Sequence, residues 1–443
     1  MSIQVGSSVH AERTGAALRV AKKLGEGGQG TVFLVESGQE RYALKWYNAE
    51  QATAEQRQAI HTLAASGPPP GPAGRRFVWP LDIVTAPGSR QFGYLMPLID
   101  MTRFAELGDI WARLKPVPGF RQLTSISYQA ANSYRALHLG GYCYRDISAG
   151  NLVFDPVAGD VMICDNDNVG INRQSTCQVW GTMEYMAPEL VRGEAQPSTE
   201  TDLHSLAVLL FQLWVWHHPM HGELEYKIRS WDLVGKRHIY GGTPVFIFDP
   251  KDERNRLPED PDYETAARRW QLCPPSLRQL FTRAFTVGLR DPSNRVTEGE
   301  WQKLFLQLCD CAIDCPACRA TNLCEPGTAG PSCWHCRVPI KIPPRLVFDH
   351  VNGSHVVLLP GGTRILRRHA EPLCDDEHGG AILGEVVPNP ANPGVWGIRN
   401  LTSAPWTAQH PDGRTQEVPP QRAVPLNAGL KLHIAGAVAT IVS

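Results

Sequence analysis

Apolar and basic residues alternate over Leu18-Arg19-Val20-Ala21-Lys22-Lys23-Leu24, the period-two pattern of a short half-buried strand. Six residues rich in glycine follow, and then Thr31-Val32-Phe33-Leu34-Val35, whose β-branched and aromatic side chains predict a second strand. Tyr42-Ala43-Leu44-Lys45-Trp46-Tyr47 predicts a third, apolar except for one lysine. Residues 53–65 carry Ala59, Ile60 and Leu63 on one face of a helix, and the Pro/Gly run at 67–72 predicts a loop. Strands are predicted at 78–84 and 92–96, with Trp79 and Tyr94 as core. Helices are predicted at 124–139, from Asp202 to Trp214, and at 298–308. Residues 337–345, with three prolines, predict a linker. Beyond it, short strands at 356–359, 363–366, 395–398, 423–425, 430–434 and 438–442 alternate with Pro/Gly/Asn turns, the pattern of an all-β sandwich.

Length and composition bound this picture. A chain of 443 residues predicts about two to four domains, and 42% apolar with 20% charged residues supplies ample core. A net charge of -1 gives no global reason to expect nucleic acid or a membrane surface as partner. No window approaches the ~18 apolar residues of a membrane helix, and residues 1–10 lack the layout of a signal peptide. Seven of the 12 cysteines crowd between Cys309 and Cys336, which without a secretion signal argues for metal rather than disulfides. The cytoplasm is the expected compartment.

The chemistry begins at Gly25-Glu26-Gly27-Gly28-Gln29-Gly30, a G-x-G-x-x-G between two strands. Glycine there lets backbone approach phosphates, although an ordinary glycine-rich hairpin has the same composition. Lys45 on an apolar strand needs an anionic partner or a route to solvent, and nucleotide phosphates would supply the first. The helix at 53–65 should also offer an acid to Lys45. Glu55 has the chemistry, whereas the phase set by Ile60 and Leu63 puts Gln56 there, so both stay open. The stretch Tyr144-Arg145-Asp146-Ile147-Ser148-Ala149-Gly150-Asn151, then Asp165 after an apolar run, places two acids and an amide at the spacing of a phosphoryl-transfer site. Each alone is more often a turn former.

In this order the motifs resemble a eukaryotic-type Ser/Thr protein kinase of the kind also found in bacteria, with an α+β bilobal fold (lobes at 15–98 and 99–310). The resemblance implies that Gly25, Gly27 and Gly30 cover the phosphates of ATP and that Lys45 holds them. Val32, Ala43, Met96 and Leu98 would flank the adenine. Asp146 would be the catalytic base, with Asn151 and Asp165 holding Mg²⁺. Gly181 to Glu189 resembles the end of an activation segment, with Thr182 near the substrate hydroxyl, Glu189 paired with Arg295, and Asp202 bracing the catalytic loop. Ser175, Thr176 and Thr182 are candidate phosphosites. Three departures stand out: Tyr144 replaces the usual His, Ser148 the usual Lys, and Asp165-Asn166-Asp167 the usual Asp-Phe-Gly. The competing reading is a pseudokinase adaptor that binds nucleotide and partners without turnover. Kinases with such departures resemble those paired with a PPM-type phosphatase and a von Willebrand factor A-like protein, alongside a protein substrate.

Cys315-Pro316-Ala317-Cys318 and Cys333-Trp334-His335-Cys336 form two C-x-x-C knuckles, the spacing of a structural zinc ribbon at 311–340. Cys324 and His335 are spare ligand candidates, Cys309 and Cys311 more remote. Trp396-Gly397-Ile398-Arg399-Asn400-Leu401 and Leu426-Asn427-Ala428-Gly429-Leu430-Lys431-Leu432, within 345–443, resemble the closing strands of a forkhead-associated domain. That resemblance implies phosphothreonine reading near Arg364, Arg367 and Arg368, though its Ser-x-x-His pattern is missing. A sandwich for protein contacts is the plainer expectation.

Overall fold

The computed structural model describes residues 3–173, 181–327, 331–351, 353–372 and 380–443. The chain divides into two compact units, Met1–Val117 with Ile126–Gln302 and Pro118–Ser125 with Lys303–Ser443.

The first unit opens with a closed sheet of six strands: β1 (Ser8–Ala11), β2 (Ala17–Glu26), β3 (Gly30–Ser37), β4 (Glu40–Tyr47), β5 (Asp82–Thr85) and β6 (Phe92–Pro97), in the order β1-β2-β3-β4-β6-β5. Alternate side chains divide its core. Leu18, Val20, Phe33, Leu44 and Trp46 pack on one side; Ala43, Tyr94 and Met96 pack on the other, with Val32 and Leu98 partly buried against them. Two expectations shift. The sheet begins at Ser8, ahead of the first strand expected at 18–24, because Val9 and Ala11 are buried where β1 pairs with β2 and β5. The strand expected at 78–84 is confined to β5, since Trp79-Pro80 precedes it without a ladder, Trp79 instead donating to the Leu63 carbonyl at 2.8 Å. Helix α1 (Ala54–Ser66) starts where Thr53 caps the Gln56 amide at 3.1 Å and buries Ile60 and Leu63.

Helix α2 (Phe120–Leu139) leads through β7 (Tyr142–Cys143) to β8 (Leu152–Phe154), β9 (Val161–Ile163) and β10 (Gly170–Ile171). β8 pairs with β9 and β7 with β10. Helix α3 (Thr199–Val215), capped by Ser198, is buried along almost its whole length, with a polar first turn around Asp202 and an apolar surface all round from Leu206 on save Gln212. Helix α4 (Glu298–Asp310) follows.

In the second unit β11 (Ala312–Asp314) and β12 (Thr321–Leu323) form a small hairpin. A two-sheet sandwich follows: β13 (Arg345–His350), β14 (Gly353–Leu358), β15 (Arg364–Leu366), β16 (Ile382–Asn389), β17 (Asn392–Asn400), β18 (Trp406–Gln409), β19 (Thr415–Val418), β20 (Ala423–Pro425), β21 (Lys431–Ile434) and β22 (Ala437–Val442). The strand orders are β14-β13-β22-β21-β18-β19 and β15-β16-β17-β20. Their inner faces share one core that includes Phe348, Ile398, Trp406, Leu432 and Ile441.

Two of the three arginines expected to read phosphate are engaged within this unit, whereas Arg364 is exposed on β15. Arg367, on the short helix α5 (Arg367–Ala370), pairs with Glu371 at 3.0 Å. Arg368 pairs with Asp310 at 3.1 Å, while His355 and His369 meet the same carboxylate at 2.8 and 3.2 Å. Burial raises the Asp310 carboxyl, but His369, His355 and Arg368 outweigh it and hold it far below the usual carboxylate range. Although two histidines and a carboxylate could bind metal, Leu366 N–H donates to His369 Nδ1 at 3.1 Å, so the proton of a neutral ring sits on Nε2, facing Asp310. The cluster is an ion-paired clamp on the end of α4.

Candidate active site

The glycine turn between β2 and β3 is closed by Gly27 N–H donating to the Gly30 carbonyl at 2.9 Å. A side chain at Gly30 would meet the Trp46 carbonyl oxygen at 2.2 Å, whereas Gly25, Gly27 and Gly28 face open space. Lys45 lies in β4 opposite Val32 on one side and Tyr94 on the other, and is 4% exposed. Its ammonium meets Gln29 Oε1 at 2.7 Å, Asp167 Oδ2 at 2.9 Å and Asp165 Oδ1 at 3.6 Å. Burial pulls the Lys45 pKa down, but Asp167 and Asp165 outweigh it and the amine is held above its ordinary value.

The helix acid expected beside Lys45 is not there. Glu55 is exposed on the first turn of α1. Gln56 turns inward, as its phase suggested, and its amide nitrogen donates to the Tyr47 hydroxyl at 2.9 Å and to the Asp167 carbonyl at 3.4 Å.

The loop after β7 brings the opposite wall. Asp146 Oδ1 accepts from the Thr182 amide and hydroxyl, both at 2.8 Å. Asn151 Nδ2 donates to the Asp146 carbonyl at 2.8 Å and to its Oδ2 at 3.0 Å. Gly181 has φ +90, and a Cβ there would meet the Arg145 carbonyl oxygen at 2.5 Å, so only glycine brings Thr182 onto Asp146 without strain. Asp202 accepts from the Tyr144 and Arg145 amides at 2.5 and 3.0 Å and from His138 at 3.0 Å. Arg145 sits in left-handed backbone (φ 73), which these bonds hold in place. Tyr144 is buried edge-to-face on Tyr134 at 5.3 Å and donates its hydroxyl to the Cys164 carbonyl. Arg295 grips Glu189 with both guanidinium arms at 2.8 Å.

Asp165, left-handed at φ 49, is 41% exposed at its side chain. Burial, with the charges of Asp167 and Asp146, raises its pKa despite Lys45. This surplus of negative charge fits a divalent cation, with the Asn151 amide oxygen as a further donor. Asp167 needs none of glycine's freedom: it lies in a single turn, Asn166–Asn168, without positive φ. Ser148 is buried in the same loop. Ser175 and Thr176 lie outside the described residues.

In the second unit, the thiols of Cys315, Cys318, Cys333 and Cys336 gather within 4.8 Å of one another. The two knuckles repeat one backbone design. Arg319 and Arg337 follow in left-handed conformation (φ 63 and 66), and each donates its amide back to the first cysteine carbonyl, at 3.0 and 2.9 Å. The first cysteine of each in turn donates its amide to a carbonyl five residues on, Ala320 and Val338, at 2.9 and 2.8 Å. The described cysteines, including Cys309, Cys311 and Cys324, form no disulfide, and His335, Cys324, Cys309 and Cys311 stay outside the tetrad.

Comparison with known proteins addresses the first unit. Residues 94–303 match the protein kinase domain family. A probable CTD kinase subunit alpha homolog of Encephalitozoon cuniculi is 24% identical over 62% of this chain and 79% of its own length. The protein kinase gsk3 of Schizosaccharomyces pombe is 30% identical over 39% of this chain and 44% of its own. Serine/threonine-protein kinase sck2 of the same yeast is 32% identical over 23% of this chain, which spans only 16% of that relative's length. The chain therefore carries a protein kinase domain related to those of serine/threonine protein kinases.

Proposed function

We propose that the protein transfers the γ-phosphoryl group of ATP, with Mg²⁺, to Ser or Thr hydroxyls of a protein partner and of itself. The observation that carries this is the Asp146 carboxylate, which already receives a threonine hydroxyl at 2.8 Å on the wall that presents Asn151 and Asp165. A substrate hydroxyl in that place would be oriented by Asp146 Oδ1, while Asn151 fixes the other carboxylate oxygen. Lys45 would hold the α/β-phosphates under the glycine turn, and Val32, Ala43, Met96 and Leu98, which share one apolar cluster, would flank the adenine. Asn151 and Asp165 would hold Mg²⁺, which when bound neutralises phosphate charge. Glu189 with Arg295 and Asp202 with His138 keep the platform and loop in place.

Incubation with labelled ATP, Mg²⁺ and generic protein substrates, beside Asp146→Asn, tests the proposal. Labelling of substrate and of the chain itself by wild type but not by the variant is expected, and equal labelling would sink it. The adaptor reading draws on one observation, the neutral Ser148 where a lysine would meet the transferring phosphate, and equal labelling would favour it.

The Cys315, Cys318, Cys333 and Cys336 tetrad supports a structural Zn²⁺ site with no open position. Bacterial origin, a forkhead-associated-like role for the sandwich, and PPM-type phosphatase or von Willebrand factor A-like partners rest on resemblance. The cytoplasm remains the proposed compartment. Among the described residues no helix is long and apolar enough to cross a membrane.

A further inference from the structure

The geometry points to Asp167 as the positioning residue for Lys45, in the place of an acid on helix α1. The inference rests on the kinase reading for its catalytic consequence, though not for its physical core.

A buried ammonium must have a fixed counter-charge or lose its proton. The resemblance assigns that task to an acid on α1, and this helix has none to offer: Glu55 faces solvent and the inward residue is the neutral Gln56. The carboxylate has moved to the Asp165-Asn166-Asp167 turn, at a position where a glycine could supply none. Asp167 is fully buried at its side chain, and both its oxygens reach Lys45, at 2.9 and 3.1 Å. It is aimed by a second layer. The Tyr47 hydroxyl donates to Asp167 Oδ2 at 2.5 Å, and Gln56 supports Tyr47 and the Asp167 backbone. The partner of Lys45 and the cation-holding Asp165 thus share one turn. Placing the lysine then requires that turn to be seated, with α1 contributing only neutral hydrogen bonds. The charged groups facing Lys45 are Asp167 and Asp165, and the buried Tyr47 and Tyr94 are the other titratable neighbours, both pushed well above ordinary by burial and then by Asp167.

Two readouts test this on the full chain. One is the yield of Lys45 acylation by an acyl phosphate of ATP, followed by peptide mass spectrometry, which reports where the amine sits relative to bound phosphates. The other is kcat and KM for ATP. Asp167→Asn should lower the yield and reduce kcat/KM on the order of a hundredfold, the size typical of a misplaced reacting group. Glu55→Gln should change neither. Adding Gln56→Glu to Asp167→Asn, which puts a carboxylate back on α1, should restore part of both. Should Asp167→Asn fail to fold, Tyr47→Phe removes only the steering hydroxyl and should move both readouts the same way by less. An unchanged yield in the folded Asp167→Asn protein, or an equal loss in Glu55→Gln, would overturn the inference. Absence of Asp146-dependent transfer in the wild type would overturn the kinase reading instead, and the yield, which needs nucleotide binding but no transfer, would still decide for or against Asp167.

Discussion

Gly27 and Gly30 belong to one motif, yet they answer to different forces. Gly30 is required by packing, because a methyl group would drive into the Trp46 carbonyl at 2.2 Å on the neighbouring strand. Gly30→Ala should therefore destabilise the first unit by about 1–3 kcal/mol, read as a lower thermal midpoint without ligand. Gly27 meets nothing within 4 Å and has no positive φ. Gly27→Ala should leave the unliganded midpoint nearly unchanged and raise the KM for ATP, since on the proposed kinase reading Gly27 would leave room above the phosphates. Equal losses of stability in the two variants would mean that the turn is only a hairpin. Lys45 shows the same division between what a residue reveals and what it conceals. A lone lysine in an apolar strand announces a partner. The identity of that partner was hidden, because Asp167 lies 122 residues away and occupies a position read as a loss of glycine rather than a gain of carboxylate.

Elements are joined in the first unit by a buried histidine. His138, on the last turn of α2, lies between Asp202 of α3 and Glu298 of α4. Burial alone would lower its pKa, but hydrogen bonds and charge from Asp202 and Glu298 raise it from 6.5 to about 9. A folded-state value above the unfolded one means that proton binding stabilises the fold. That contribution is complete below about pH 6.5 and disappears as the pH climbs through about 9, amounting to at most about 3 kcal/mol. Unfolding free energy measured by denaturant from pH 6 to 10 should fall across this window in wild type. His138→Gln should be less stable at pH 6 and decline less steeply, and parallel curves would show that the clamp does not titrate as described. Strands were legible where alternation was clean, as at the start of β2, or where an apolar, β-branched run stood between turns, as at β3, β4 and β22. They were missed where it was broken or brief. β16 carries Gly384 and Pro388, β19 exposes three of its four residues, and β13 follows directly on Pro343-Pro344, which suggested a linker. Tertiary pairing supplied in these cases what local pattern did not.

At the scale of the whole molecule, the two units hold themselves together by different means. The first buries a large apolar core, and its motif order was readable because each chemical residue sits on a strong element or a turn with few alternatives. The ribbon has little such core: Cys311, Ile313, Cys324, Ile340 and Leu358 are buried around the tetrad, together with Cys315 and Cys333 of the tetrad itself. So few buried side chains return little against the backbone entropy of ordering the segment. Thiolate–zinc bonds, with an apparent folding contribution of about 10–16 kcal/mol, would add the stabilisation that this small core lacks. Purified protein should contain one zinc per chain. Cys318→Ser or Cys333→Ser should lose it, whereas Cys324→Ser, outside the tetrad, should keep it. Stripping with a strong chelator should lower the unfolding midpoint of the second unit and open residues 311–340 to protease. Asp146-dependent phosphoryl transfer should survive, because no residue assigned to that chemistry lies in the ribbon. Metal-free protein with an unchanged protease pattern would show that the knuckles fold by their own hydrogen bonds, with Arg319 and Arg337 closing each turn unaided.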